Sequence, residues 1–227
     1  MLIPRIRTAL LVAVLVAPLA ACASRAASAQ GSTPEMGDAA AIVRARADSI
    51  RYPYTRADIE FMQGMIHHHA QALVMSRLAP IRGASQELLR LTARIINAQT
   101  DDIVLMQTWL RDRNQPAPQV DSAGTVTVAG GEHGGHGEHG GHAMQMPGML
   151  TVAQLRELDA AWGGEFDRLF LTFMIQHHRG AVQMVQSLLA SPNAGQDETI
   201  FKFAADVEVD QSTEIRRMLQ MLITLDP

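Results

Sequence analysis

"GMIHHHAQALVM", residues 64–75, sets three consecutive histidines between methionines inside a stretch that otherwise reads as a buried helix. An imidazole taken out of water needs a partner for each ring nitrogen. Without one, each ring costs roughly 1–3 kcal/mol. The histidines therefore either face solvent or hold something, and a metal ion is the natural occupant.

Working outward, the same pattern returns in the second half of the chain. Asp58, Phe61, Met65, Ile66, His68, His69, Ala72 and Met75 match Asp167, Phe170, Met174, Ile175, His177, His178, Ala181 and Met184, each pair 109 positions apart. In the helices that follow, Gln99, Ile103, Met106 and Leu110 match Gln211, Ile215, Met218 and Leu222 at a spacing of 112, so the second hairpin loop is expected to be three residues longer. Each half is an amphipathic helical hairpin that cannot bury its apolar face alone. Two facing hairpins make a four-helix bundle, so the expectation is an all-α fold with quasi-twofold symmetry.

The boundaries follow from caps and breakers. A short helix is expected over residues 37–51, ended by Pro53. Thr55 with Asp58 resembles a capping box and opens a helix to about Leu78, where Pro80 and Gly83 interrupt. Ser85 starts another, whose Leu88, Leu91, Ile95, Ile103, Met106 and Leu110 keep helical spacing as far as Arg113. Residues 54–113 thus form the first hairpin and residues 114–150 a Gly/His/Met-rich linker. Thr125 to Val128 is the one brief strand signal there, flanked by glycine. "TVAQ" at residues 151–154 has capping-box spacing and opens a short helix, followed by the second hairpin to residue 227.

The N-terminus is expected to lie outside this core. Arg5 and Arg7 precede an apolar run, and "LAAC" at residues 19–22 has the small-residue pattern of a bacterial lipoprotein signal. Residues 1–22 then form the signal with Cys22 as the lipidated residue, and residues 23–53 a tether with the short helix. Cys22 is the only cysteine, which excludes internal disulfides and leaves methionine as the soft ligand. The formal charge of −4 argues against nucleic acid, which rewards clustered Lys and Arg. No other apolar run is long enough to span a bilayer, so membrane contact is expected through the lipid alone.

All 9 histidines fall in three places: His67 to His69, His177 with His178, and the linker set His133, His136, His139 and His142. On a helix, residues three and four apart share a face, so Met65 reaches both His68 and His69, and Met174 stands likewise to His177 and His178. Met75 and Met184 lie about 10 Å further along the axis, at a neighbouring site. The repeat doubles the set to Met65, His68 or His69, Met174, and His177 or His178, as one shared site or two separate ones. Imidazole with thioether suits copper, Cu(I) above all; zinc or another divalent transition metal gains little from the methionines. His67 corresponds to Gln176 and is expected to face solvent. Asp58 and Asp167 stand about 16 Å before His69 and His178 on the helix axis and are read as capping residues. The linker histidines, with Met144 and Met146, read as a flexible metal collector whose ordering entropy keeps affinity modest. A di-iron bundle would need Glu-x-x-His, which neither Glu60 nor Glu165 supplies, and no phosphate-binding loop or nucleophile elbow occurs.

"FMQGMIHHHAQALVM" with "QTDDIVLMQTWL", and again "FLTFMIQHHRGAVQM" with "QSTEIRRMLQML", resemble the Domain of Unknown Function 305 family of exported bacterial proteins. The resemblance runs from about Tyr54 to Leu222 except for the linker. It implies a ferritin-like up-and-down bundle and, for some members, copper binding and tolerance in the periplasm. It carries over to Met65, His68, His69, Met75, Met174, His177, His178 and Met184 as metal residues. His67 stands where a proline is common and Ala70-Gln71 where the family often has Gln-Gly; the second copy has Gln176 and Arg179-Gly180.

The reading is a cell-envelope lipoprotein that sequesters or delivers copper, held at the outer membrane facing the periplasm or at the cell surface. Its partners would be the metal ion, a copper donor or acceptor protein and a second copy of itself. Two alternatives belong to other classes: a metal-dependent envelope oxidoreductase, which needs an open coordination position, and a metal-free interaction module responsive to pH through its histidines.

Overall fold

Thr55 and Asp58 close the capping box that starts the first long helix. The Thr55 side chain accepts from the Asp58 amide, and the Asp58 carboxylate accepts from the Thr55 amide at 2.7 Å. Three later helices have side-chain start signals of their own. Ser85 accepts from the Leu88 amide, Thr151 and Gln154 form a second capping box, and Asp197 accepts from the amides of Thr199 and Ile200. Such caps satisfy amides that have no partner within the helix, at about 0.5–2 kcal/mol each.

The structure, a computed structural model, describes residues 37–51, 53–128 and 146–225. The signal and tether readings, Cys22, and the linker residues His133, His136, His139, His142 and Met144 lie outside the described residues. The described elements are α1 (Asp38–Arg51), α2 (Arg56–Leu78), α3 (Gln86–Asp112), β1 (Gln119–Val120), β2 (Val126–Thr127), α4 (Val152–Ala160), α5 (Gly163–Ala190) and α6 (Glu198–Leu225). The fold is all-α, as the repeat predicts. Helix α2 packs on α3, α5 on α6, and α2 on α5.

The core lies in two clusters. One joins the first half of α2 (Phe61, Met62, Met65, Ile66) to the second half of α5 (Ala181, Val185, Leu188), with Ile103, Met106 and Leu110 of α3 and Ile200, Phe203 and Val207 of α6. The other joins Ala72 and Met75 of α2 to Phe166, Phe170 and Met174 of α5, with Leu88, Leu91 and Ile95 of α3 and Met218 and Met221 of α6. Helices α2 and α5 therefore run antiparallel. Each fully buried large apolar side chain contributes about 1.5–3 kcal/mol.

Asp58 and Asp167 brace the two hairpins against each other. Asp58 Oδ1 accepts from the Gly195 amide in the second hairpin's loop at 2.7 Å, and both oxygens of Asp167 accept from the Ser85 amide in the first, at 3.2 Å. Asp58 thus caps α2 as the sequence suggests. Asp167 does not cap α5, because that helix begins at Gly163, a full turn earlier.

The segment read as linker carries more order than glycine content suggests. β1 and β2 form an antiparallel ladder, Gln119 opposite Thr127, around a turn in which Asp121 Oδ1 accepts from the amides of Ala123 and Thr125. Residues 146–150 lie across α2 and α5. Gln71 grips Leu150 through both its amide atoms, at 2.7 Å and 3.1 Å, and Gln176 donates to the Gly148 carbonyl at 3.3 Å. Gly148 takes a φ of 77°, and a side chain there or at Gly180 would overlap the facing backbone. Two glycines thus let a loop touch a helix.

Candidate metal centre

His68, His69, His177 and His178 are all fully buried and divide the two apolar clusters. His68 on α2 and His177 on α5 meet at the pseudo-twofold, with ring centroids 3.7 Å apart and planes inclined by 39°. His69 and His178 flank this pair, 6.5 Å and 6.2 Å from their sequence neighbours. The Met-x-x-His-His spacing produces this because two adjacent histidines point about 100° apart on a helix. One of each pair faces the opposite hairpin and the other faces its own partner helix.

Every Nε2 has an oxygen acceptor. His68 Nε2 donates to the Pro147 carbonyl at 3.1 Å, and His177 Nε2 to the His68 carbonyl at 3.0 Å. His69 Nε2 donates to Asp102 Oδ2 at 3.2 Å, and His178 Nε2 to Glu214 Oε2 at 2.6 Å. Since each partner can only accept, each Nε2 carries a proton, and in a neutral ring Nδ1 then keeps a lone pair. All four Nδ1 atoms are buried without a hydrogen-bond partner. At about 1–3 kcal/mol for each unmet group, the layer costs roughly 4–12 kcal/mol, comparable to the whole stability of a domain.

Three of the rings are held neutral by burial. Burial pushes His68 down to about 3, helped by the neighbouring His69 and opposed by the Pro147 carbonyl. Burial, then the facing His68, puts His177 well below the ordinary imidazole value. Burial also lowers His178, against the pull of Glu214. A neutral imidazole with Nε2–H fixed by an oxygen and Nδ1 free is the form that ligates a metal, and such outer partners set ring orientation and basicity.

The thioethers sit on both sides of this layer. Met65 belongs to one apolar cluster and Met174 to the other, each fully buried and within reach of the histidines on its own helix. Met75 shares the cluster of Met174. Met184 packs against the other cluster, where it and Met146 close over Gly64; a Cβ at that glycine would lie 3.4 Å from Met146 Sδ and Met184 Cε. Each side of the layer therefore carries one of the two methionines nearest the histidines in sequence, Met65 or Met174. Among the described residues no group of three or more His, Cys, Asp or Glu side chains is arranged to hold a metal ion. His67 is half-buried rather than solvent-facing, and burial lowers its titration too.

Asp102 and Glu214 are the functional residues that the sequence reading missed. They stand 112 positions apart, the spacing of Gln99 and Gln211, so the repeat marks them as an acidic pair in equivalent places. Gln99 and Gln211 are themselves buried at the level of the histidines, between the two clusters.

Two repeated hairpins closing on a buried imidazole layer, with thioethers to either side, define a helical-bundle protein with a soft donor set. The family model described as Domain of unknown function (DUF305) matches residues 58–222. The chain belongs to the DUF305 family. It is similar to a DUF305 protein of Streptomyces coelicolor described as a candidate for secretion, at 26% identity over 75% of this chain and 94% of that one, with a TM-score of 0.59. A DUF305 fragment from Deinococcus radiodurans aligns at 27% identity over 75% of this chain and 97% of its own, with a TM-score of 0.59. CopM in its Cu(I)-bound form aligns at 26% identity over 74% of this chain and 96% of its own, with a TM-score of 0.54, and CopM is also seen with Cu(II) and with silver. No curated protein matches the chain. Among the described residues no helix is long and apolar enough to cross a membrane.

Proposed function

We propose that this chain is an exported copper-binding protein that holds Cu(I) in the bundle through His68, His69, His177, His178, Met65 and Met174. The observation that carries this reading is the set of four buried Nδ1 atoms without partners beside fixed Nε2–H groups. A fold does not retain that cost in its centre without return. Neutral imidazole and thioether are donors for a soft monovalent ion, and burial keeps the rings of His68, His177 and His178 unprotonated at neutral pH. The copper-bound forms of CopM support the same ion in a structural relative.

Met75, Met184 and Met146 then hold copper outside the layer. The linker histidines His133, His136, His139 and His142 with Met144 collect it at lower affinity. The chain is exported and anchored through Cys22, and the cargo is sequestered or handed on, not turned over.

The test is a Cu(I) competition titration against a chromogenic chelator on the compact unit Met36–Pro227. The variants are His68→Ala with His177→Ala, and His133, His136, His139 and His142 replaced by glutamine. Tight binding is expected to survive the linker changes and to vanish in the helix variant, with helical content checked by circular dichroism. Tight binding that survives loss of His68 and His177 refutes the assignment.

A further inference from the structure

The face of the bundle opposite α2 and α5 holds a feature that ligation by the layer does not use. Between α3 and α6 lies a cleft of about 150 Å³, lined by Asp102, Asp206, Asp210 and Glu214 and by no cationic side chain. Its other polar walls are Thr213, Gln99, 2% exposed with Nε2 and Oε1 both unpartnered, and Gln211, 5% exposed with Oε1 unpartnered. The same Asp102 and Glu214 grip His69 and His178. The cleft is thus walled by surface carboxylates, by bare amides and by the two carboxylates that touch the imidazoles. On the other face, residues 146–150 lie over α2 and α5 and cover His68 with the Pro147 carbonyl.

We infer that the acid-lined cleft between α3 and α6 is the port through which a metal cation reaches the buried histidines. This rests on the copper-binding reading above. Four carboxylates around a narrow opening create a negative potential, with the nearby Arg216 guanidinium held on Thr213 of the cleft wall at 2.9 Å. The crowding is visible at Asp210, whose carboxyl is raised by burial and then by Asp206, Glu214 and Asp102. A lined cleft of one sign focuses the field and speeds the arrival of opposite charge, an effect that salt suppresses. No three of these groups converge as a ligand set among the described residues, so the cleft attracts a cation without trapping it. The unpartnered amide oxygens of Gln99 and Gln211 offer neutral stepping points beyond the acids. Asp206 and Asp210 touch none of the histidines, so they separate arrival from binding.

The experiment is stopped-flow uptake of Ag(I), supplied as nitrate and followed by ultraviolet absorbance. The protein is the Met36–Pro227 unit with the four linker histidines replaced by glutamine. Asp206→Asn with Asp210→Asn is expected to slow association about fivefold at low ionic strength, and Asp206→Lys with Asp210→Lys to slow it further. The differences should shrink as sodium nitrate is raised, and the amount of silver bound should not change. Glu87→Gln with Glu157→Gln removes the same net charge from exposed positions elsewhere and should leave the rate within about twofold. Unchanged uptake in the cleft variants, or an equal fall in the control pair, overturns the port. If uptake does not depend on His68 and His177 at all, the histidine site itself fails and the port falls with it.

Discussion

Lowering the pH of the metal-free protein from 7.5 to 5.5 should cost it about 3 kcal/mol of stability through His68 and His177 alone. Burial holds the folded His68 at about 3 and the folded His177 well below its ordinary value, whereas both titrate near 6.5 in the unfolded chain. Between those limits the unfolded state binds protons that the folded state refuses. The stability is therefore fully present above pH 6.5 and is lost as pH falls from there toward the folded value. Each ring contributes about 1.4 kcal/mol over the stated interval, a tenfold change in the unfolded chain's protonation term. His178, lowered in the same direction, adds to the loss.

Urea unfolding in the presence of a chelator measures this directly. With a slope of about 2 kcal/mol/M, the midpoint should fall by about 1.5 M between the two pH values. In His68→Asn with His177→Asn the same interval should move the midpoint much less, because the variant has no such rings to protonate. A wild-type midpoint that is unchanged, or that moves equally in the variant, would refute the claim that these imidazoles are buried and neutral.

Gly180→Ala would place a methyl group against the Pro147 carbonyl, so residues 146–150 must leave α5. Hydrogen exchange should accelerate at least about tenfold at the Leu150 amide, now held by Gln71 at 2.7 Å, while α3 and α6 stay protected; an unchanged rate there counts against the strap. Asp197→Ala removes the 2.6 Å partner of Arg113 and an acceptor for the Trp109 indole and the α6 amides. Asp197 and Arg113 are both almost fully buried, so the loss should be about 3–5 kcal/mol by urea unfolding, and a loss under 1 kcal/mol would show that the pair is solvated.

Caps and breakers placed the two long helices of the first hairpin within a residue or two, because those signals are local. Thr55, Ser85 and Thr151 begin helices for reasons contained in the next four residues. The internal repeat supplied the pairing of hairpins, which locality alone does not give. Where a contact depends on how helices cross, the sequence was silent. Asp167 sits in the position equivalent to Asp58, yet only the start of α5 at Gly163 reveals that it reaches another hairpin's loop rather than its own first turn. The strap over α2 was equally hidden. Pro147 meets His68 through a backbone carbonyl, and every residue has one of those.

The site shows the same division more sharply. That His68, His69, His177 and His178 lie inside follows from their apolar neighbours at helical spacing. Which ring nitrogen is free follows from partners more than thirty residues away: Asp102 for His69 and Glu214 for His178. Those two acids were visible as a repeated pair at the spacing of Gln99 and Gln211, but on an exposed-looking helix edge a carboxylate reads as solvation. The chain crossing turns them inward. With those two Nε2 atoms held by the acids and the other two by the carbonyls of Pro147 and His68, all four Nδ1 atoms are left buried without a partner. The histidine layer is therefore written twice, in a motif that places the imidazoles and in a repeat that lets distant acids orient two of them. Only the motif is readable one helix at a time.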